Sequence, residues 1–159
     1  MKNKKGSIID VIFIAVTLFV FIIAALIGYQ ILDDWQNTGN TENPDFIAFE
    51  QDMKDRYPKI FDNLFIFILI GLEFAAIIGA FLIDSHPVFF IASLFILVVL
   101  GVITPHLGAA YTDFAGTDDY SNYSAQFVMS KYIMEHFPFF IVILCGFPIL
   151  IALYAKATG

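Results

Sequence analysis

The side chains with chemical potential sit in unusual surroundings. Glu73 is the single charged residue inside the apolar run Leu64–Ile83. An acid near the middle of a membrane span costs about 2.5–3.5 kcal/mol on insertion scales, so its presence needs a reason. One reason is chemical: a proton or cation site, or a group that titrates during gating. The other is structural: a protonated carboxyl hydrogen-bonded to a neighbouring helix, with Thr17, Ser93 and Cys145 as partners on other apolar runs. No second acid or base shares the helical face of Glu73, and a relay needs several groups within reach of one another. His106 and His136 fall near Asp113 and Glu135, and imidazole with carboxylate can hold a transition metal. No His-x-x-x-His pair or Cys ligand accompanies them, so they read as polar interfacial residues and no metal is expected. Asp113, Asp118 and Asp119 lack the spacing and terminal Glu of a calcium loop. No nucleophile–base–orienter set can be assembled, a mid-span thiol such as Cys145 stays protonated and inert, and no glycine-rich phosphate loop is present. The expectation is a protein that is not an enzyme and carries no cofactor.

These residues must be positioned by helices, because a bilayer leaves no water to satisfy open backbone groups. Crossing it takes about 20 apolar residues. Four runs qualify, at about 8–32, 64–83, 88–110 and 138–155, with outer segments at 33–59 and 105–135. The third run passes Pro105 at the expense of a kink, and Pro148 bends the fourth. Ser85-His86-Pro87 forms the turn between spans two and three. Small residues recur every four positions, at Ala24 and Gly28 and at Gly71, Ala75 and Gly79, which lets helix backbones approach within the chain or between copies.

The outer segments have helical patterns of their own. Asn43-Pro44-Asp45 is a helix start, with a cap, then Pro, then an acid. Phe46, Phe49, Met53 and Tyr57 follow at helical spacing, predicting an amphipathic helix that lies on the membrane surface or docks a partner. Ser124 to Met134 forms a second, with Phe127, Lys131 and Met134 on one face, and Thr112 to Tyr123 reads as a loop. Trp35 belongs to an aromatic belt at the interface. The fold class is therefore all-α: a polytopic membrane protein of four transmembrane helices, with short amphipathic helices in the two outer segments.

Composition agrees. Of 159 residues 59% are hydrophobic and 14% charged, against about 45–50% and 25% for soluble domains. That excludes a soluble enzyme, a disordered tail or a nucleic-acid-binding domain. A net charge of −7 with Arg56 as the single arginine also argues against phosphate binding. One cysteine excludes an internal disulfide. Lys2, Lys4, Lys5 and Lys156 flank one side of the membrane, and Lys54, Arg56, Lys59 and Lys131 the other. The tie is broken by the acids: of fifteen, all but Asp10, Glu73 and Asp84 fall in the outer segments or, at Asp62, between the first of them and the second span. Both termini are accordingly expected inside, with the first run as a signal anchor.

Lys4-Lys5-Gly6 before an apolar run resembles the processing signal of type IV pilins. Val11 stands where pilins carry Glu, and three further spans follow, which excludes that family. The opening Lys-Asn-Lys-Lys-Gly-Ser-Ile-Ile-Asp, with a first helix ending Gly28-Tyr29-Gln30-Ile31-Leu32, resembles small membrane proteins of internal-membrane icosahedral viruses and related integrated elements. The resemblance covers the first 32 residues. It implies a structural protein of a virion membrane that packs laterally against lipid, other membrane or capsid-type proteins, or further copies of itself. The alternatives are an accessory subunit of a cellular electron-transfer or transport complex, and a channel or holin-like pore using Glu73.

Overall fold

A computed structural model of the protein describes residues 8–38, 43–82 and 87–158. Every regular element among them is helical: α1 (Ile8–Thr38), α2 (Pro44–Leu82), α3 (Pro87–Ala115), α4 (Ser121–Ser124) and α5 (Val128–Glu135). A π-helical segment, Phe139–Gly146, then continues into α6 (Phe147–Thr158).

Helix α2 begins where its sequence signals place it. The amide of Asp45 donates to Asn43 Oδ1 at 3.0 Å, and the amides of Phe46 and Ile47 donate to the Asn43 carbonyl. Its far end differs from expectation. Residues 44–63 do not form a separate amphipathic helix on the membrane surface. They are fused to the second apolar run as one rod of 39 residues, about 58 Å long at 1.5 Å per residue. No glycine separates the two parts, and Pro58 removes one backbone bond without ending the helix. The outer part therefore shares the axis of the apolar run.

The second outer segment is also rearranged. Helix α3 starts at Pro87, passes through Pro105 and runs on to Ala115, so part of the expected loop is helical. In place of one helix over Ser124–Met134 there are two, α4 and α5. Phe127 lies between them with φ −94° and ψ 69°, outside helical values, and its ring is fully buried. Beyond α5 the chain bends by 77° into the segment Phe139–Ile151. The fourth apolar run thus departs from α-helical winding over Phe139–Gly146, ahead of the bend expected at Pro148.

Two helices, Ile12–Thr38 and Leu94–Ala115, are long and apolar enough to cross a membrane. The bent pair Val128–Glu135 and Phe139–Ile151 makes a third if counted as one span. The stretch 64–83 lies partly outside the described residues.

Helix α1 occupies the centre. Ile14, Leu18, Ile22 and Leu26 are all buried, at the three- to four-residue spacing of one helical face, and α1 touches α2, α3 and the π-helical segment. Phe65, Leu69, Leu100, Ile141 and Ile149 complete this core. The periphery is as apolar as the centre. Phe13 and Val20 of α1, Phe67 and Phe74 of α2, Phe95 and Val98 of α3, and Ile143 and Ile151 of the last rod are all exposed.

Candidate functional site

The end of the molecule that carries residues 33–59 is assembled from the antiparallel α1–α2 pair. Aromatic contacts set its register: Phe21 lies 5.7 Å from Phe61 and 6.2 Å from Phe65, Tyr29 lies 5.6 Å from Tyr57, and Trp35 meets Phe46 edge-on at 6.3 Å. Phe127 reaches Tyr29 and Tyr57 edge-on, so the residue that breaks the second outer helix anchors it to this pair. Gly28 permits the close approach. A Cβ there would run into the Tyr57 hydroxyl. Burial pushes the Tyr57 phenol above its usual range.

Above this aromatic layer lies a polar cleft of ≈ 530 Å³ between the end of α1, α2 and the α3–α4 turn. Four carboxylates line it, Asp33, Asp34, Asp118 and Asp119, against one ammonium, Lys54. Asp33 is already engaged. Lys54 pairs with Oδ1, and Tyr123 donates its hydroxyl to Oδ2 at 2.9 Å. That hydrogen bond, with burial and the nearby Asp33 and Asp34 charges, pushes the Tyr123 phenol up to about 12. Asp34, Asp118 and Asp119 have no side-chain hydrogen bond or ion pair with any described residue. Tyr29, Gln30, Asn122 and Gln126 complete the lining.

A second polar construction holds α5. Asp62 of α2 is buried. It accepts the amides of Met129 and Ser130, each at 3.0 Å, and the Ser130 hydroxyl at 2.5 Å. A carboxylate from another helix thus caps the N-terminus of α5 and satisfies donors that an isolated helix leaves open. Close by, Ser124 ties α4 to α3 by donating to the Ala115 carbonyl at 3.1 Å. The hydroxyl of Tyr111 and Oε1 of Glu50 are buried without a partner.

The residues singled out from sequence are scattered. Glu73 is half-buried in α2, and no hydrogen bond joins it to Thr17, which is half-buried in α1. The side chains of Ser93 and Cys145, its other expected partners, lie outside the described residues, as does the expected packing at Gly79. Among the small residues, Gly28 lies in an interhelical contact, whereas Ala24, Gly71 and Ala75 face outward. The outer face divides: Phe46 and Tyr57 turn toward α1, while Phe49 (58%), Met53 (37%) and Trp35 (56%) are exposed. His106 and His136 are exposed, and the His136 ring lies against Tyr132 at 4.5 Å. Among the described residues no group of three or more His, Cys, Asp or Glu is arranged to hold a metal ion.

Sequence reasoning missed the cleft and the Asp62 cap. Asp33-Asp34 and Asp118-Asp119 are conspicuous as pairs, but Asp33 and Tyr123 are 90 positions apart, and no local pattern joins them. No protein family matches the chain, and no curated protein or solved structure is significantly similar to it.

Proposed function

We propose that the protein is a non-enzymatic structural membrane protein that crosses the bilayer four times and docks protein partners through its acidic outer platform, in the membrane of a lipid-containing icosahedral virion. Support for four crossings comes from the exposed apolar side chains on all four rods. A soluble monomer rarely exposes continuous apolar surface beyond a few hundred Å². Lys and Arg placement supports both termini inside. The virion membrane is favoured by the N-terminal resemblance.

The observation that carries the docking role is the construction of the outer end. Its segments are joined to one another by the Asp62 cap and the Tyr123–Asp33 bond, while Trp35, Ile47 and Phe49 remain exposed among acids. A fixed support with exposed aromatic anchors is the arrangement that protein interfaces use.

The test is co-purification from detergent-solubilised particles. A capsid protein retained by the wild-type chain and lost with Trp35→Ala/Phe49→Ala, while the variant still enters the membrane, supports the proposal. Absence of the chain from particles, or retention instead of respiratory or transport subunits, overturns it. So does ion flux in liposomes that Glu73→Gln abolishes.

A further inference from the structure

We propose that α5 lies flat in the headgroup layer of the bilayer, with Val128, Met129 and Tyr132 turned to lipid, so that the partner of this face is the leaflet itself. The inference rests on the membrane crossings proposed above and is independent of the docking role of Trp35 and Phe49.

Two helices that α5 crosses fix its height. At its start, Asp62 of α2 accepts the amides of Met129 and Ser130. At its end, Gly108 of α3 backs onto Met134, whose carbonyl oxygen would lie 3.1 Å from a Cβ there. At 1.5 Å per residue, Asp62 stands about 30 Å from Leu82 along α2, and Gly108 stands about as far from Pro87 along α3. Leu82 and Pro87 are close in sequence, so both lengths start from one end of the molecule. The hydrocarbon core is about 30 Å thick, and both ends of α5 therefore fall at its far boundary. The 77° bend after Glu135 lays α5 across the direction of the last rod, as a helix in the membrane plane requires. The surface position expected for the helix that starts at Pro44 thus passes to α5, because that stretch shares the axis of the second apolar run.

The sides of α5 match this position. Ser130, Ile133 and Met134 are buried, on the side where α5 packs on α2 and α3. Lys131 and Glu135 form a polar flank. They share a small cavity with Thr112 and Gly116, which lie beyond Gly108 along the chain, so this flank faces away from the apolar part. The remaining arc is apolar, and Val128, Met129 and Tyr132 on it are each more than half exposed. That arc does not stop at the bend. The Tyr132 ring meets Phe140 edge-on at 6.2 Å, and Phe140 meets the exposed ring of Phe139 at 5.7 Å. The face is therefore continuous with the apolar surface of the last rod. Tyrosine is enriched at this depth, and an immersed apolar face with a polar flank above it is the build of an interfacial helix.

The experiment is nitroxide depth measurement by electron paramagnetic resonance on the full-length chain in phosphatidylcholine vesicles. Single cysteines are introduced in a Cys145→Ser background, since Cys145 is the one native cysteine. Val128→Cys and Met129→Cys sample the apolar arc, each guarding against a folding defect in the other. Glu135→Cys samples the polar flank, and Val98→Cys the exposed middle of α3. Labels at Val128 and Met129 should collide with oxygen more and with a water-soluble nickel chelate less than the label at Glu135. Their depth should fall within about 5–10 Å of the headgroup boundary, with Val98 about 15 Å from it, near the midplane. Equal nickel access at Met129 and Glu135, with Val98 still shielded, overturns the proposal and leaves the crossings standing. It is the outcome expected of a face reserved for a protein partner, which the vesicles lack. Low collision rates with both reagents signal contact with another copy and overturn it too. So does a depth at Val128 and Met129 equal to that of Val98, which would make α5 part of the span. Nickel access at Val98 overturns the crossings and this inference with them.

Discussion

At their outer ends α1 and α2 meet through an ion pair between Asp33 and Lys54 and an edge-on contact between Trp35 and Phe46. From Phe21 inward the same two helices meet through rings and aliphatic side chains, Phe21 on Phe65 being the innermost ring contact between them among the described residues. The contrast extends to their neighbours. At that end α4 and α5 are tied to α1, α2 and α3 by hydrogen bonds that Tyr123 and Ser124 donate and Asp62 accepts. In the apolar part the rods come together around α1 by shape, as at Gly146, where a Cβ would collide with Leu97. Directional bonds suit short elements that cannot bury enough surface to hold themselves, such as the eight residues of α5. Close-packed contacts suit long helices whose backbone bonds are already internal.

The sharpest way to break this comparison is at Asp62. Asp62→Ala strips the acceptor from two amides and one hydroxyl at the buried start of α5. Leaving such donors unpaired is expected to cost about 3 kcal/mol. Asp62→Asn keeps one acceptor oxygen and should lose about 1 kcal/mol. The readout is thermal unfolding in detergent together with amide hydrogen exchange at Met129 and Ser130, which should accelerate in the Ala variant before the rest of the chain unfolds. Unchanged exchange there would show that α5 is held by Phe127 and Met134 burial and not by its cap.

The corresponding test of close packing uses two glycines, Gly28 on α1 and Gly71 on α2. Gly28→Ala places a methyl on the Tyr57 hydroxyl. The Tyr57 ring cannot swing clear, since Phe61 stacks on it at 4.3 Å and Phe127 closes another side. The expected loss is about 1–3 kcal/mol. Gly71→Ala meets nothing within 4 Å, so its melting temperature should stay within error of wild type. Equal losses at both positions would mean that Gly71 is itself in contact with another chain, and the tight approach would no longer be confined to the α1–α2 pair.

What could be read from sequence follows the same division. The apolar runs and the start of α2 at Asn43-Pro44 were legible, because hydropathy and capping are local. The fusion of 44–63 with the second apolar run was not: a change from amphipathic to apolar patterning looks like a boundary, yet nothing at Asn63-Leu64 stops a helix. Pro87 marked the start of α3, whereas the end at Ala115 was hidden by the polar composition of residues 112–115. Glu73 attracts notice because a charge is rare among apolar neighbours. Asp62 does not, although it accepts three hydrogen bonds, since it sits in a polar stretch and its partners lie 67 and 68 positions away. Gly28 is legible as a small residue, but helical spacing places its partner Tyr57 with Phe46, Phe49 and Met53 on the face of a separate amphipathic helix.

The smallest expected effect lies at the joint between the two regions. Tyr123→Phe removes the hydroxyl that donates to Asp33 and should cost about 1 kcal/mol at neutral pH. The pH dependence is more diagnostic than the size. The hydrogen bond to Asp33 raises the Tyr123 phenol from 10.0 to about 12, so the fold favours the protonated hydroxyl. Its contribution to stability is therefore fully present below pH 10 and lost as pH rises toward about 12. Above that value a phenolate would face the Asp33 carboxylate, and the bond becomes a repulsion. Melting temperature measured from pH 8 to 12 should fall for wild type relative to Tyr123→Phe, the two curves converging at the alkaline end. Parallel curves would show that the ninety-residue link between α1 and α4 is made by burial of the Tyr123 ring against Tyr29 and Tyr120 and not by its hydroxyl. The outer region would then be held, like the inner one, chiefly by ring contacts.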